Sequence, residues 1–197
     1  LLPGSRLGEI RLVAPPFLQA AALLHRRRAQ LRFVLPVSSG MRDLLTPMLA
    51  LHAPGVPIEL TESQSHDALA ACDVTLIASG TATLEAALFK RPMVIGYRSH
   101  WVNALLWRQL GYLPWVGLPN ILCNHSVVPE LLQQACEPNA LADAVLAQLD
   151  DAAGAERLAA RFTELHLLLR RDTARCATDA IAQVLEEFLG PDRQRGL

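Results

Sequence analysis

Twice in this chain an apolar run breaks into a turn of small residues that opens straight into a helical pattern. The first instance is Leu1-Leu2-Pro3-Gly4-Ser5-Arg6 with Glu9 behind it, and the second is Ser79-Gly80-Thr81-Ala82-Thr83-Leu84-Glu85 after the run at 74–78. A strand feeding a helix is the building step of a parallel sheet, because parallel neighbours are joined only by a crossover. Further β-rich runs at 31–36, 58–61 and 92–97 alternate with helical patterns at 8–28, 39–52, 65–71 and 81–89. The alternation predicts an α/β fold, a Rossmann-like doubly wound parallel sheet with right-handed crossovers. From Leu141 the pattern is purely helical, with an Ala- and Leu-rich stretch to Leu149, a break at Gly154, and helices over 155–171 and 173–189. The expected organisation is a sheet domain at 1–140, C-terminal helices at 141–190 and a polar, frayed tail at 191–197.

Composition limits what such a sheet serves. A chain of 197 residues is long enough to bury a full core without disulfide or metal staples. Its net charge of -1 argues against nucleic acid as a partner, so any phosphate is recognised locally. Cys72, Cys123, Cys136 and Cys176 lie far apart with no C-x-x-C pair, which indicates neither zinc nor a disulfide framework and fits reduced, cytoplasmic thiols. No apolar run reaches the roughly 18 residues of a membrane span. The chain starts inside the first motif without an initiator Met, and reads as a fragment.

Both turns have the layout that converts backbone N–H groups into a phosphate cradle. Gly4 lets backbone approach a ligand, Ser5 is placed to cap the following helix, and Arg6 stands at its positive end with a planar fork suited to phosphate. In the second turn Ser79, Gly80, Thr81 and Thr83 surround the helix start. Glu85 falls at i+4 from Thr81, where one carboxylate accepts from both hydroxyls of a ribose. Read singly, each motif is also an ordinary capped turn beside a solvated charge. Neither matches G-x-G-x-x-G or the Walker pattern. Two cradles at the carboxyl ends of one sheet point to a diphosphate ligand, since that rim carries the crevice in open α/β sheets. The loop 61–67 faces the same rim, with His66 the histidine expected near the crevice. Trp101, Trp107, Tyr112 and Trp115 follow Tyr97 in a stretch that suits a lipid–water interface or a packed core equally. The Arg26-Arg27-Arg28 run reads first as a solvated helix end, with attraction to anionic lipid as the alternative.

Taken in order, these motifs with Arg91-Pro92-Met93-Val94-Ile95-Gly96-Tyr97, Gly117-Leu118-Pro119-Asn120-Ile121-Leu122 and Val127-Val128-Pro129-Glu130-Leu131-Leu132-Gln133 resemble the lipid-A-disaccharide synthases over most of the chain. The resemblance implies the C-terminal, UDP-sugar-binding half of a GT-B glycosyltransferase. Such an enzyme joins UDP-2,3-diacylglucosamine to 2,3-diacylglucosamine 1-phosphate, giving lipid A disaccharide 1-phosphate and UDP. It implies catalytic roles for Arg6 and Asn120 and UDP contacts from Gly4, Ser5, Arg6, Ser79, Gly80, Thr81, Thr83, Glu85 and Asn120. It further implies no cofactor and no metal, with helix ends and basic groups steadying the leaving UDP. The expected partners are the UDP-sugar donor, the acylated sugar phosphate acceptor, the cytoplasmic face of the inner membrane and a second copy through the C-terminal helices. The general base lies in the half not represented, so the chain alone is expected to bind nucleotide without turnover. Another UDP-GlcNAc-type GT-B transferase or epimerase, or a non-catalytic nucleotide-binding module, stays open on the residues alone.

Overall fold

The computed structural model of the protein describes residues 1–99 and 114–189. The elements are α1 (Leu7–Arg27), β1 (Phe33–Val37), α2 (Arg42–His52), β2 (Ile58–Glu62), α3 (Ser65–Ala71), β3 (Thr75–Ala78), α4 (Ala82–Leu88), β4 (Met93–Tyr97), α5 (Leu118–Cys123), β5 (Glu130–Leu132), α6 (Pro138–Asp150), α7 (Ala152–Leu169) and α8 (Thr173–Leu189). β1 pairs with β2, and β4 lies between β3 and β5, all in parallel. The two sheet pieces meet across Leu1 and Leu2. The Leu1 amine donates to the Val34 carbonyl (2.7 Å), the Leu2 N–H to Leu76 O (2.8 Å), and Ala78 N–H to Leu2 O (2.8 Å). The spatial order is therefore β2, β1, the Leu1–Leu2 stub, β3, β4, β5, and the stub opens the first turn at its carboxyl end.

Strand alternation sorts the core into faces. Leu76, Ala78 and Val94 pack with Val13, Phe17, Ala21 and Leu24 of α1 and Leu141, Ala142 and Val145 of α6. Their neighbours Ile77, Met93 and Ile95 face the other way, against Leu69 of α3, Ala86 and Ala87 of α4, and Leu158 and Phe162 of α7. Leu35 and Val37 pack with Ile10, Ala14 and Leu18 of α1 and Leu45 of α2. The outcome is helices on both sides of a parallel sheet, as the strand–helix alternation requires. Side chains of α1 and α6 both pack onto Gly96 in β4, where a Cβ would sit 2.5 Å from Phe17 Cε1 and 3.1 Å from Leu141 Cδ2.

By length and composition alone α1 could cross a bilayer, contrary to the expectation that no segment would; half of its apolar window is buried inside the protein, as in a core helix. Its buried positions recur at three- and four-residue steps, and Glu9 near its start with His25, Arg26 and Arg27 at its end complement the dipole. Pro15 and Pro16 remove two helical donors, and the residues whose carbonyls they strand, Arg11 and Leu12, face solvent. Arg27 and Arg28 pair with Asp143 and Asp150 of α6, and the hydrogen bond from Arg28 holds the Asp150 carboxyl below its usual range. Two of the three arginines expected to end this helix as solvated charges thus bind the next layer instead.

The helix expected from 39 starts at Arg42, and residues 38–41 form a turn closed by Met41 N–H on Ser38 O (3.0 Å). Gly154 does not break a helix; the break falls at Asp151, whose carboxylate accepts the Gly154 N–H (2.7 Å) inside the first turn of α7. The chain divides into two compact units, Leu1–Thr163 and Glu164–Leu197. In the second unit, Ile181, Val184, Leu185 and Phe188 form an exposed stripe at helical spacing on α8. Trp101, Trp107 and Tyr112, with the rest of the expected interfacial stretch from 100 to 113, and the frayed tail at 191–197 lie outside the described residues.

Candidate functional site

The two small-residue turns converge. A cleft of about 600 Å³ at the carboxyl ends of the strands is lined by Gly4, Ser5, Arg6 and Glu9 from the first turn and by Ser79, Gly80, Thr81 and Glu85 from the second. Arg6 and Glu85, seventy-nine positions apart in sequence, thus share one cavity.

At the first turn Gly4 has φ +107°, where a Cβ would collide with the Glu9 carboxylate. Ser5 does not cap the helix. The N-cap residue is Arg6, with no side-chain cap, and Glu9 reaches back so that its Oε2 accepts the Ser5 N–H (3.2 Å). Glu9, at the third helical position, thus takes the amide one residue ahead of the N-cap, where a capping box would take the amide of the N-cap residue itself. The Arg6 side chain is exposed in the cleft and has no hydrogen bond or ion pair among the described residues.

At the second turn Gly80 has φ +143°, which L side chains rarely adopt. Thr83 N–H (3.1 Å) and Thr83 Oγ1 (2.7 Å) both donate to Gly80 O. The amides of Gly80, Thr81 and Ala82, three residues that line the cleft, are left without an acceptor among the described residues. Glu85 lies one turn in and faces His66 Nε2 at 3.4 Å, which brings His66 to the cleft's edge through its partner.

Thr83 and Asn120 do not line the cleft. Thr83 is fully buried, and its hydroxyl also accepts the Leu118 N–H (3.3 Å). Asn120, expected beside the donor, is fully buried and spent on its own loop. Its Nδ2 donates to Val128 O (2.9 Å) and Glu130 Oε1 (2.7 Å), and its Oδ1 accepts from Val127 N–H (2.7 Å) and Val128 N–H (3.0 Å). A side-chain amide has two donors and two acceptor sites, so nothing remains for a ligand. Ser79 is at the rim, but its hydroxyl donates to Val116 O (2.9 Å).

Two parts of the site escaped the sequence reading. Ser38 and Ser39, with Pro36 and Val37, form a third wall of the cleft, beside Ser63 and Ser65 of the loop 61–67 that was expected at this rim. The signal for the third wall was the same as for the other two, a strand running into small residues at Ser38-Ser39-Gly40. Glu130 was visible only as part of a motif, and its contacts span residues that sequence alone does not join.

A sequence model of the family described as lipid-A-disaccharide synthetase matches residues 1–184. The chain belongs to that family. It is 49% identical over 191 residues to the lipid-A-disaccharide synthase of Burkholderia vietnamiensis (strain G4), covering 96% of this chain and 49% of that protein. It is 48% identical over 187 residues to the synthase of Burkholderia thailandensis, covering 94% of this chain and 48% of that one. The chain spans about half the length of the curated relatives it matches. Among solved structures, TarM superposes with a TM-score of 0.56 at 13% identity, over 84% of this chain and 31% of TarM. The spinosyn rhamnosyltransferase SpnG superposes with a TM-score of 0.50 at 20% identity, over 81% of this chain and 40% of SpnG. At those identities the likeness concerns the fold, that of one half of a GT-B glycosyltransferase.

Proposed function

We propose that this chain is the UDP-sugar-binding half of a lipid-A-disaccharide synthase. The observation that carries the reading is the shared cleft, in which an unpaired arginine, three amides without acceptors and a carboxylate converge at the sheet's carboxyl rim. A diphosphate fits Arg6 and the amides of Gly80, Thr81 and Ala82. A ribose diol fits Glu85, and Gly4 lets backbone close on the phosphates. In the longer protein the acceptor hydroxyl of 2,3-diacylglucosamine 1-phosphate attacks the anomeric carbon of UDP-2,3-diacylglucosamine, and negative charge builds on the departing β-phosphate. Donors already aimed at that charge lower the transition state more than the ground state. Asn120 and Thr83 serve this chemistry from behind the cleft.

The acylated substrates call for a membrane surface, which this reading takes to be the cytoplasmic face of the inner membrane. The exposed apolar stripe on α8 supports a homodimer through the C-terminal helices. Titration of UDP into the chain tests the central reading: saturable binding that Glu85→Ala weakens is expected, and a featureless titration would refute it. In the longer protein, turnover of the acylated UDP-glucosamine over the non-acylated one separates this reading from other UDP-GlcNAc-type transferases.

A further inference from the structure

We propose that Glu130 is a positioning residue for the cleft, and that with Asn120 it fixes the Ser79–Thr83 turn through residues 116–118. This rests on the reading that the turn holds the diphosphate. Glu130 opens β5, where it registers with Ile95 of β4, and its half-buried carboxylate accepts from three donors. Oε2 takes Val116 N–H (2.9 Å), and Oε1 takes Gly117 N–H (3.0 Å) and Asn120 Nδ2 (2.7 Å). A Cβ at Gly117 would lie 3.0 Å from that same Oε1 and 2.2 Å from Ile95 Cδ1, so any side chain there would push on the clasp.

From this clasp two contacts run to the turn. Ser79 Oγ donates to Val116 O (2.9 Å), and Leu118 N–H donates to Thr83 Oγ1 (3.3 Å). Thr83 Oγ1 in turn donates to Gly80 O (2.7 Å). The last bond reaches the ligand face by covalent geometry. The Gly80 carbonyl and the Thr81 N–H belong to one planar trans peptide and point in opposite directions. Holding the carbonyl inward aims the Thr81 N–H outward into the cleft. Because Gly80 tolerates many backbone conformations, the direction of that N–H depends on what grips the carbonyl.

All three partners of Glu130 are donors, so the site calls for an acceptor-only side chain. Glu130→Gln keeps the volume and turns one acceptor into a donor facing another donor. The experiment compares UDP and uridine affinity in the wild-type chain and in E130Q by NMR titration. Expected is a loss of about tenfold for UDP, equivalent to one lost hydrogen bond near the top of the usual range, with uridine within about twofold. A role limited to overall stability would move both ligands together or neither, and either result overturns the proposal. No saturable UDP binding in the wild type would instead remove the underlying reading, and this one with it. Should E130Q fail to fold, the near-isosteric Thr83→Val, which deletes the hydroxyl between Leu118 and Gly80, is read by the same UDP-to-uridine ratio. An unchanged ratio there overturns the proposal equally.

Discussion

Replacing Asn120 by alanine separates a ligand contact from a structural clasp. The side chain is fully buried and makes four hydrogen bonds, so truncation strands the N–H groups of Val127 and Val128 and leaves the Val128 carbonyl only the Ser126 hydroxyl (3.3 Å). Each buried polar group left unpaired costs about 1–3 kcal/mol. The vacated space is polar and able to admit one water, which recovers part of this, and the net loss is about 3–4 kcal/mol. Against a total stability of about 5–15 kcal/mol, that is a large fraction. In urea unfolding followed by circular dichroism, the midpoint should fall by about 1–2 M. Asn120→Asp gives a signed control. It sets a second carboxylate against Glu130 and the Val128 carbonyl, so its destabilisation should shrink as pH falls and a shared proton restores the missing donor. A loss in Asn120→Ala below about 1 kcal/mol together with abolished UDP binding would refute the reasoning, since only a side chain that touches ligand behaves so.

Arg6→Ala should do the reverse. With no partner among the described residues its removal should shift stability by no more than about 0.5 kcal/mol, while UDP affinity in calorimetry drops about tenfold, the lower part of the range for charged hydrogen bonds because the residue is exposed. Gly96→Ala forces a methyl against Phe17 and Leu141, and should cost about 1–3 kcal/mol in urea unfolding; a neutral result would mean that α1 and α6 give way freely.

Much of the sheet was legible because its signals are local. Runs such as 58–61 and 92–97 are short, apolar and bounded by turn residues, and β2 and β4 fall on them. β5 and α5 were missed as elements, since three residues at 130–132 and six at 118–123 are too short to show a period. The strand-to-helix turns could be read because glycine and small residues are rare punctuation. What they contain depended on tertiary partners. Ser5 looked like a cap, but the N-cap falls one residue later at Arg6, and Ser5 instead donates its own amide to Glu9 one helical turn on. Asn120 carried a family motif, and no pattern in the chain reveals that Val127, Val128 and Glu130 use up its amide, because that requires a loop to fold back on itself.

The cleft and the clasp follow from the same strand ends by opposite uses of polar groups. Away from the cleft several polar groups are paired: Arg27 and Arg28 on α6 carboxylates, Arg42 on Glu62 at 2.8 Å, Asn120 and Glu130 on each other and on backbone. At the rim it leaves Arg6 and the Gly80, Thr81 and Ala82 amides unmatched. Glu9 shows how such a place attracts an anion, since the chain's own carboxylate already occupies the Ser5 amide. A protein with net charge -1 holds no general attraction for polyanions. The demand for negative charge is local and directional, and it sits beside a carboxylate at Glu85 that no phosphate would choose as a neighbour without a neutral group between them. A ligand carrying a diphosphate joined to a sugar diol meets both conditions, whereas free polyphosphate meets only one.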